Sequence, residues 1–152
     1  MLAFENTIHV GRPVAEVFAF LADLENLPKW NYYVLDVRKR SNGPVGVGTT
    51  YHQVRKTDEQ ELCITELERN HTIVVRTMPP TSLSLTMHFA LTEEGGTTCI
   101  RDAWTLDTGR PALLERLGAH GIQSAVAENL TKLKELLETG RVVLQDGRQA
   151  LL

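Results

Sequence analysis

The sequence is poor in cysteine, in aromatic residues and in long apolar runs. It has two cysteines among 152 residues, and only 6% of its residues are aromatic. Cys63 and Cys99 form no C-x-x-C pair, which excludes a dense disulfide framework of the kind found in small secreted proteins. We therefore expect reduced thiols in a cytoplasmic protein, with a single disulfide as the open alternative.

The sequence also has no pattern typical of a membrane span, a signal peptide or a basic nucleic-acid-binding surface. It contains no apolar run of about 18 residues, so no transmembrane helix is expected. The segment "MLAFENTIHV" has no basic stretch followed by an apolar one, which predicts no signal peptide. With a net charge of −3 and no basic cluster longer than "RKR" at 38–40, the chain has no electrostatic footprint for nucleic acid.

What the sequence does have is a hydrophobic fraction of 42%, enough to build one soluble domain with a substantial core. Apolar–polar alternation bounded by turn residues predicts seven strands. These strands span 4–10, 33–40, 48–56, 61–68, 72–78, 82–92 and 97–107. Helical spacing replaces the alternation at 13–24 and again from Pro111 to about Thr139, where Gly140 is placed to end the helix.

This order of elements predicts an α+β fold. Strands joined by turns of two to six residues pair antiparallel, and the apolar face of their sheet must be covered. The carboxy-terminal helix, roughly 42 Å long at 1.5 Å per residue, is long enough to cover it. We expect a domain over 1–140 and a tail over 141–152 that is loosely held or takes part in an oligomer contact, such as a homodimer.

Five segments carry a resemblance to a known family over about 3–139. They read "RPVAEVFAFLADLENLPKW", "NGPVGVGTTY", "ITELERNHTIV", "FALTEEGGTTCI" and "AVAENLTKLKELLE". In their order, the chain resembles the START-like or Bet v-type (SRPBCC) superfamily and, within it, the polyketide cyclase/dehydrase-like proteins. The resemblance implies a helix-grip fold, a curved antiparallel sheet of about seven strands around a long carboxy-terminal helix. It also implies a deep cavity for lipids, sterols, polyketides or plant hormones.

The first half of the long helix favours such a cavity. Gly118, Gly121 and Ala125 lie near its apolar stripe, whereas the second half is crowded with leucines. Each glycine inside a helix costs about 1 kcal/mol relative to alanine, so the glycines need a reason. Small residues at one end predict a void there, while a close helix–sheet approach or a kink between two helices remains the alternative.

The segment "NLPKWNYYV" at 26–34 concentrates the aromatic residues. By the resemblance, it passes one end of the cavity, which would place Trp30, Tyr32 and Tyr33 near the cavity opening. Trp30 could equally fill the core between the short helix and the sheet. Tyr33 shares its strand parity with Leu35 and Val37, so we expect Tyr33 to point inward.

The predicted ligand-binding residues are those expected to face the interior of the sheet or the glycine-bearing part of the helix. They are Trp30, Tyr33, Tyr51, Met87, Phe89, Trp104, Leu117, Gly118, Gly121, Ile122 and Ala125. Gln53 and Arg55 share parity with Tyr51 and are either inward polar groups or part of a solvated strand face.

Asp102 is the candidate for chemistry. It shares a strand face with Ile100, Trp104 and Leu106, and an inward carboxylate has its ionised form disfavoured by desolvation. It could act as a general acid or base, or anchor a ligand hydroxyl. Pairing with a neighbouring arginine, or an outward turn at a bulge, would remove that role.

Three classes of function follow from these features. The first is a carrier for a small apolar or amphipathic ligand, such as a lipid or a polyketide. The second is a polyketide cyclase or dehydratase that uses Asp102 and needs no cofactor. The third is a protein-interaction module with a vestigial pocket. The five histidines show no H-x-x-x-H or H-x-H spacing, so no metal site is expected.

Overall fold

The computed structural model describes residues 1–81 and 83–152. The strands of its main sheet are β1 Leu2–Val10, β2 Val34–Lys39, β3 Thr50–Arg55, β4 Glu59–Glu68, β5 Thr72–Thr77, β6 Ser84–Glu94 and β7 Thr97–Asp107. The helices are α1 Val14–Ala22, a 3₁₀ helix Leu24–Lys29, and α2 Ala112–Thr139. A final hairpin is formed by β8 Arg141–Val143 and β9 Gln149–Leu151. Ser82, where the sixth predicted strand begins, lies outside the described residues.

The seven strands pair in the order β1-β7-β6-β5-β4-β3-β2, and every pairing is antiparallel. Strands β2 to β7 follow one another as neighbours, and β1 closes the order by pairing with β7. The predicted α+β helix-grip fold is confirmed. Each strand begins and ends within two residues of its predicted bounds, because alternation and turn chemistry are local signals.

One prediction of strand phase is wrong. The pairing of β2 with β3 shifts register between Val34 and Asp36, and the pattern of buried residues shifts with it. Val34 and Val37 are therefore buried, while Leu35 is 44% exposed. A bulge adds one residue to one strand and reverses the faces on either side of it, which the alternation alone does not reveal.

The two halves of α2 have different surroundings. The second half supplies the helix contribution to the core, namely Val126, Leu130, Leu133, Leu136 and Leu137. The first half does not continue that buried stripe, because Leu113, Leu114 and Leu117 are 71%, 53% and 76% exposed. The helix ends at Gly140, which has φ of 86° and donates its N–H to the Leu136 carbonyl.

The tail folds back onto the domain, which corrects the expectation that 141–152 is loosely held. Val142 and Leu144 are each 3% exposed and join the main core. Arg148 Nη2 donates to the Tyr32 carbonyl at 2.8 Å, and its Nη1 donates to the Val34 carbonyl at 3.1 Å. The tail thus fastens the segment that leads into β2.

Arg148→Gln should lower the free energy of unfolding by about 1–2 kcal/mol. The substitution removes the two carbonyl contacts and the bond from Nε to Asp146 Oδ2, which is 2.9 Å long. The side chain is 32% exposed, so solvent screening keeps the loss moderate. Urea unfolding measures the change. Arg141→Gln, an exposed arginine in the same tail, is the control; an equal loss in both variants would contradict the fastening role.

The structure also bears on the two cysteines and on the expected lack of a transmembrane helix. Cys63 and Cys99 are free thiols on β4 and β7, so the disulfide alternative is excluded. Within the described ranges, no helix is both long and apolar enough to cross a lipid bilayer.

Candidate functional site

A cavity of about 370 Å³ lies between the sheet and the first half of α2. Its apolar walls come from the 3₁₀ helix, β2, β6, β7 and α2, together with the residue before β6. The side chains that form these walls are Leu27, Val34, Leu83, Leu85, Met87, Trp104, Leu106, Ile122, Ala125 and Val126. Tyr33 and the two glycines of α2 complete its apolar lining, and four polar residues contribute the rest.

The cavity brings together seven of the predicted ligand-binding residues. These are Tyr33, Met87, Trp104, Gly118, Gly121, Ile122 and Ala125. Leu85 and Leu106, which the prediction omitted, also line the cavity, and their strand parity with Met87 and Trp104 was a signal for them. Whether these residues bind a ligand stays a prediction.

Four predicted residues do not line the cavity. Trp30 is 4% exposed and packs edge-on against Phe89, with ring centroids 6.5 Å apart, so it fills the core. Tyr51 is fully buried, and its hydroxyl has no hydrogen-bond partner among the described residues. Leu117 is 76% exposed and faces solvent, although it lies only about 40° around α2 from Gly121. An inward orientation is therefore not enough to place a residue at the cavity, since Trp30, Tyr51 and Phe89 pack against core side chains.

Gly118 and Gly121 open the cavity on the helix side. A Cβ placed on either glycine would have no atom within 4 Å. The alternative of a close helix–sheet approach is therefore excluded. Since α2 runs without interruption from Ala112 to Thr139, a break into two helices is excluded as well.

A polar cluster stands at one end of the cavity, where α2 meets the segment before β2. Asn129 Nδ2 donates to Asn31 Oδ1 at 3.2 Å, and Asn129 Oδ1 accepts the backbone N–H of Tyr32 at 3.2 Å. Asn31 Oδ1 also accepts the N–H of Tyr33 at 3.0 Å. Both asparagines line the cavity and are less than 10% exposed. Sequence reasoning missed them, because the partners are about 98 residues apart.

Gln53 and Arg55 on β3 extend this polar end, which excludes the solvated strand face. Both line the cavity. Arg55 Nε and Nη2 donate to the two carboxylate oxygens of Asp58 at 2.7 and 2.8 Å. These hydrogen bonds hold the pKa of Asp58 below its ordinary value. The bidentate contact also fixes the plane of the guanidinium.

Asp102 faces inward but stands behind the cavity wall. It is 1% exposed, and its Oδ1 accepts a hydrogen bond of 3.0 Å from Nε1 of Trp104, which does line the cavity. Burial raises the pKa of Asp102 to about 7, and the hydrogen bond from Trp104 opposes this rise. No salt bridge to Asp102 is found within residues 1–81 and 83–152. The two structural alternatives, an arginine partner and an outward turn, are thus excluded.

In the described part of the chain, no group of three or more His, Cys, Asp or Glu residues is arranged to hold a metal ion. The side chains of the site offer three kinds of group. These are apolar walls, amide and guanidinium donors at one end, and a buried carboxyl group behind Trp104.

Comparison with known proteins places this architecture in context. Residues 1–138 match a family described as "Polyketide cyclase / dehydrase and lipid transport". A comparison with curated proteins finds no match.

Solved structures share the fold at low sequence identity. A START superfamily protein from Mycobacterium smegmatis is 14% identical, with a TM-score of 0.71 over 89% of this chain and 98% of that one. Protein MLL2253 from Mesorhizobium loti is 15% identical, with a TM-score of 0.70 over 90% and 96%. The Aha1 dimer from Colwellia psychrerythraea is 18% identical, with a TM-score of 0.69 over 92% of this chain and 98% of that one. At these identities the likeness concerns the fold.

Proposed function

The chain belongs to the polyketide cyclase/dehydrase and lipid transport family, and on that premise we propose that it binds a small apolar or amphipathic ligand in the cavity beside α2. The ligand is lipid-like or polyketide-like. The two free thiols fit a reducing compartment, so we place the protein in the cytoplasm as part of the same proposal.

The observation that carries this proposal is the cavity itself. Its volume of about 370 Å³ falls within the range of about 300–1,000 Å³ that is typical of small-molecule sites. Its walls are mostly aliphatic and aromatic, with polar groups gathered at one end. This is the usual composition of a ligand pocket, in which apolar burial supplies affinity and a few polar groups fix orientation.

Two measurements test the binding proposal. Native mass spectrometry of the freshly purified protein is expected to show a bound molecule that is released by denaturing extraction. After extraction and refolding, the uncharged fluorophore N-phenyl-1-naphthylamine is expected to bind with a blue-shifted emission and to raise the melting temperature, because it prefers the folded state. A protein that carries no resident molecule and does not bind the fluorophore would contradict the proposal.

A second candidate function is cyclisation or dehydration of a polyketide-like substrate, and Asp102 favours it. A carboxyl group with a pKa of about 7 is suited to general acid–base catalysis near neutral pH. Asp102 lies behind Trp104 and does not line the cavity, so this role requires Trp104 to move aside and admit the substrate to the carboxyl group. The cavity would then hold the reactive chain and exclude water. Asp102→Asn should abolish turnover of a synthetic poly-β-ketoester and leave its affinity unchanged; unchanged turnover would rule out the role.

A further inference from the structure

The polar groups of the cavity are unevenly distributed, and their arrangement bears on the ligand. Residue pairs directly opposed in a sheet point to the same face, and Val34 is paired with Arg55. Val34, Arg55 and Gln53 therefore face the cavity together, next to the segment that carries Asn31. Most of the remaining lining consists of leucine, methionine and tryptophan side chains.

Two hydrogen-bond donor groups on these residues have no partner among the residues that the structure describes. Nε and Nη2 of Arg55 donate to Asp58, whereas Nη1 makes no hydrogen bond within the described part of the chain. Asn31 uses its Oδ1 to accept from Asn129 and from the Tyr33 N–H, which orients the amide. Its Nδ2 likewise has no acceptor among residues 1–81 and 83–152. Two preoriented donors thus line the same end of the cavity.

The charges in the lining also have one sign. Arg55 is the one charged residue among the described residues that line the cavity, and its side chain is only 20% exposed. None of those lining residues is acidic, since Asp58 lies outside the cavity and Asp102 stands behind Trp104. Asp58 balances the charge of Arg55 from outside the cavity, so the group that a ligand meets inside it is the guanidinium and not the carboxylate. An anion would there meet charge-assisted donors, whereas a cation would meet no acidic side chain among the lining residues that the structure describes.

We infer that the cavity binds an amphipathic carboxylic acid, with its carboxylate on Arg55 and Asn31 and its apolar body against the leucines, Met87 and Trp104. This inference rests on the proposed function and names the ligand class for the same site. Asp58 and Asn129 hold Arg55 and Asn31 in place through hydrogen bonds. Arg55 Nη1 and Asn31 Nδ2 then remain available to donate to the ligand.

Displacement of N-phenyl-1-naphthylamine by three ten-carbon compounds at pH 8 tests the inference. Decanoic acid should displace the fluorophore at least tenfold more effectively than methyl decanoate or decylamine. Arg55→Gln should remove most of this preference, measured as the ratio of acid to ester displacement and corrected for the fluorophore affinity of the variant itself. Arg76→Gln, which changes an exposed arginine on β5, is the matched control and should keep the preference.

Asn31→Asp is a second, independent variant. The new carboxylate can still accept the hydrogen bonds from Asn129 and Tyr33, but it replaces the free donor with an acceptor. The substitution should weaken the binding of decanoate more than the binding of methyl decanoate. Equal displacement by the acid and the ester in the wild-type protein would overturn the inference and leave the binding proposal intact. Failure of the fluorophore to bind, in a protein that also carries no resident molecule, would overturn both.

Discussion

Asp102→Asn is expected to stabilise the protein by about 2–3 kcal/mol more at pH 8 than at pH 5. The carboxyl group is buried, and burial raises its pKa in the folded state to about 7 from an ordinary value of 3.8. The neutral form is compatible with this environment, because it keeps the hydrogen bond from Trp104 without requiring a buried charge.

The sign of this effect follows from proton binding. Between about pH 4 and pH 7 the folded protein holds a proton on Asp102 that the unfolded chain has lost. The stability that depends on the neutral carboxyl group is complete below pH 4 and is lost as the pH rises through 7. Asparagine is neutral throughout and retains the accepting oxygen, so the variant escapes this loss.

Urea unfolding of both proteins at pH 5 and pH 8 gives the required difference. Other carboxylates contribute equally to both proteins and cancel from the comparison. Asp36→Asn, which replaces a carboxylate that is 48% exposed beside Arg38, controls for the change in net charge. A difference between the variant and the wild type that stays constant from pH 5 to pH 8 would show that Asp102 is not a buried neutral carboxyl group.

Gly121→Leu is expected to weaken binding of N-phenyl-1-naphthylamine at least tenfold, or by about 1.4 kcal/mol or more. Gly121 lies on the part of α2 that borders the cavity, and a Cβ at this position would meet no atom within 4 Å. A leucine side chain can therefore extend into the cavity without displacing the backbone, and it would occupy the volume that the ligand needs.

Gly121→Ala is the matched control, because it adds only the Cβ. Both substitutions should stabilise α2 by about 0.5–1 kcal/mol, since glycine is a poor residue in a helix interior and nothing obstructs the added carbon. Only the leucine variant should lose affinity. Titration of the fluorophore and thermal unfolding separate the two effects. Unchanged affinity in a folded Gly121→Leu protein would place the ligand elsewhere.

The pattern of the sequence was sufficient for the fold but only partly for the site. Seven of the predicted ligand-binding residues line the cavity, whereas Trp30, Tyr51, Phe89 and Leu117 do not. The predicted phase of β2 is wrong, because the register shift after Val34 changes which residues of the strand are buried. Tyr33, which precedes β2, nevertheless lines the cavity. The asparagine pair that closes one end, Asn31 and Asn129, had no signal in the sequence.

The sequence by itself determined the elements and their faces, because a period of 2 or 3.6 and the conformations of Gly and Pro are properties of short segments of backbone. It thereby determined that Asp102 and Trp104 face inward together. Only the tertiary structure decided which inward side chains meet neighbours and which meet a void. Trp30 packs against Phe89, whereas Trp104 borders the cavity. That difference depends on the distance between a sheet and a helix far apart in the sequence, and no local pattern encodes it.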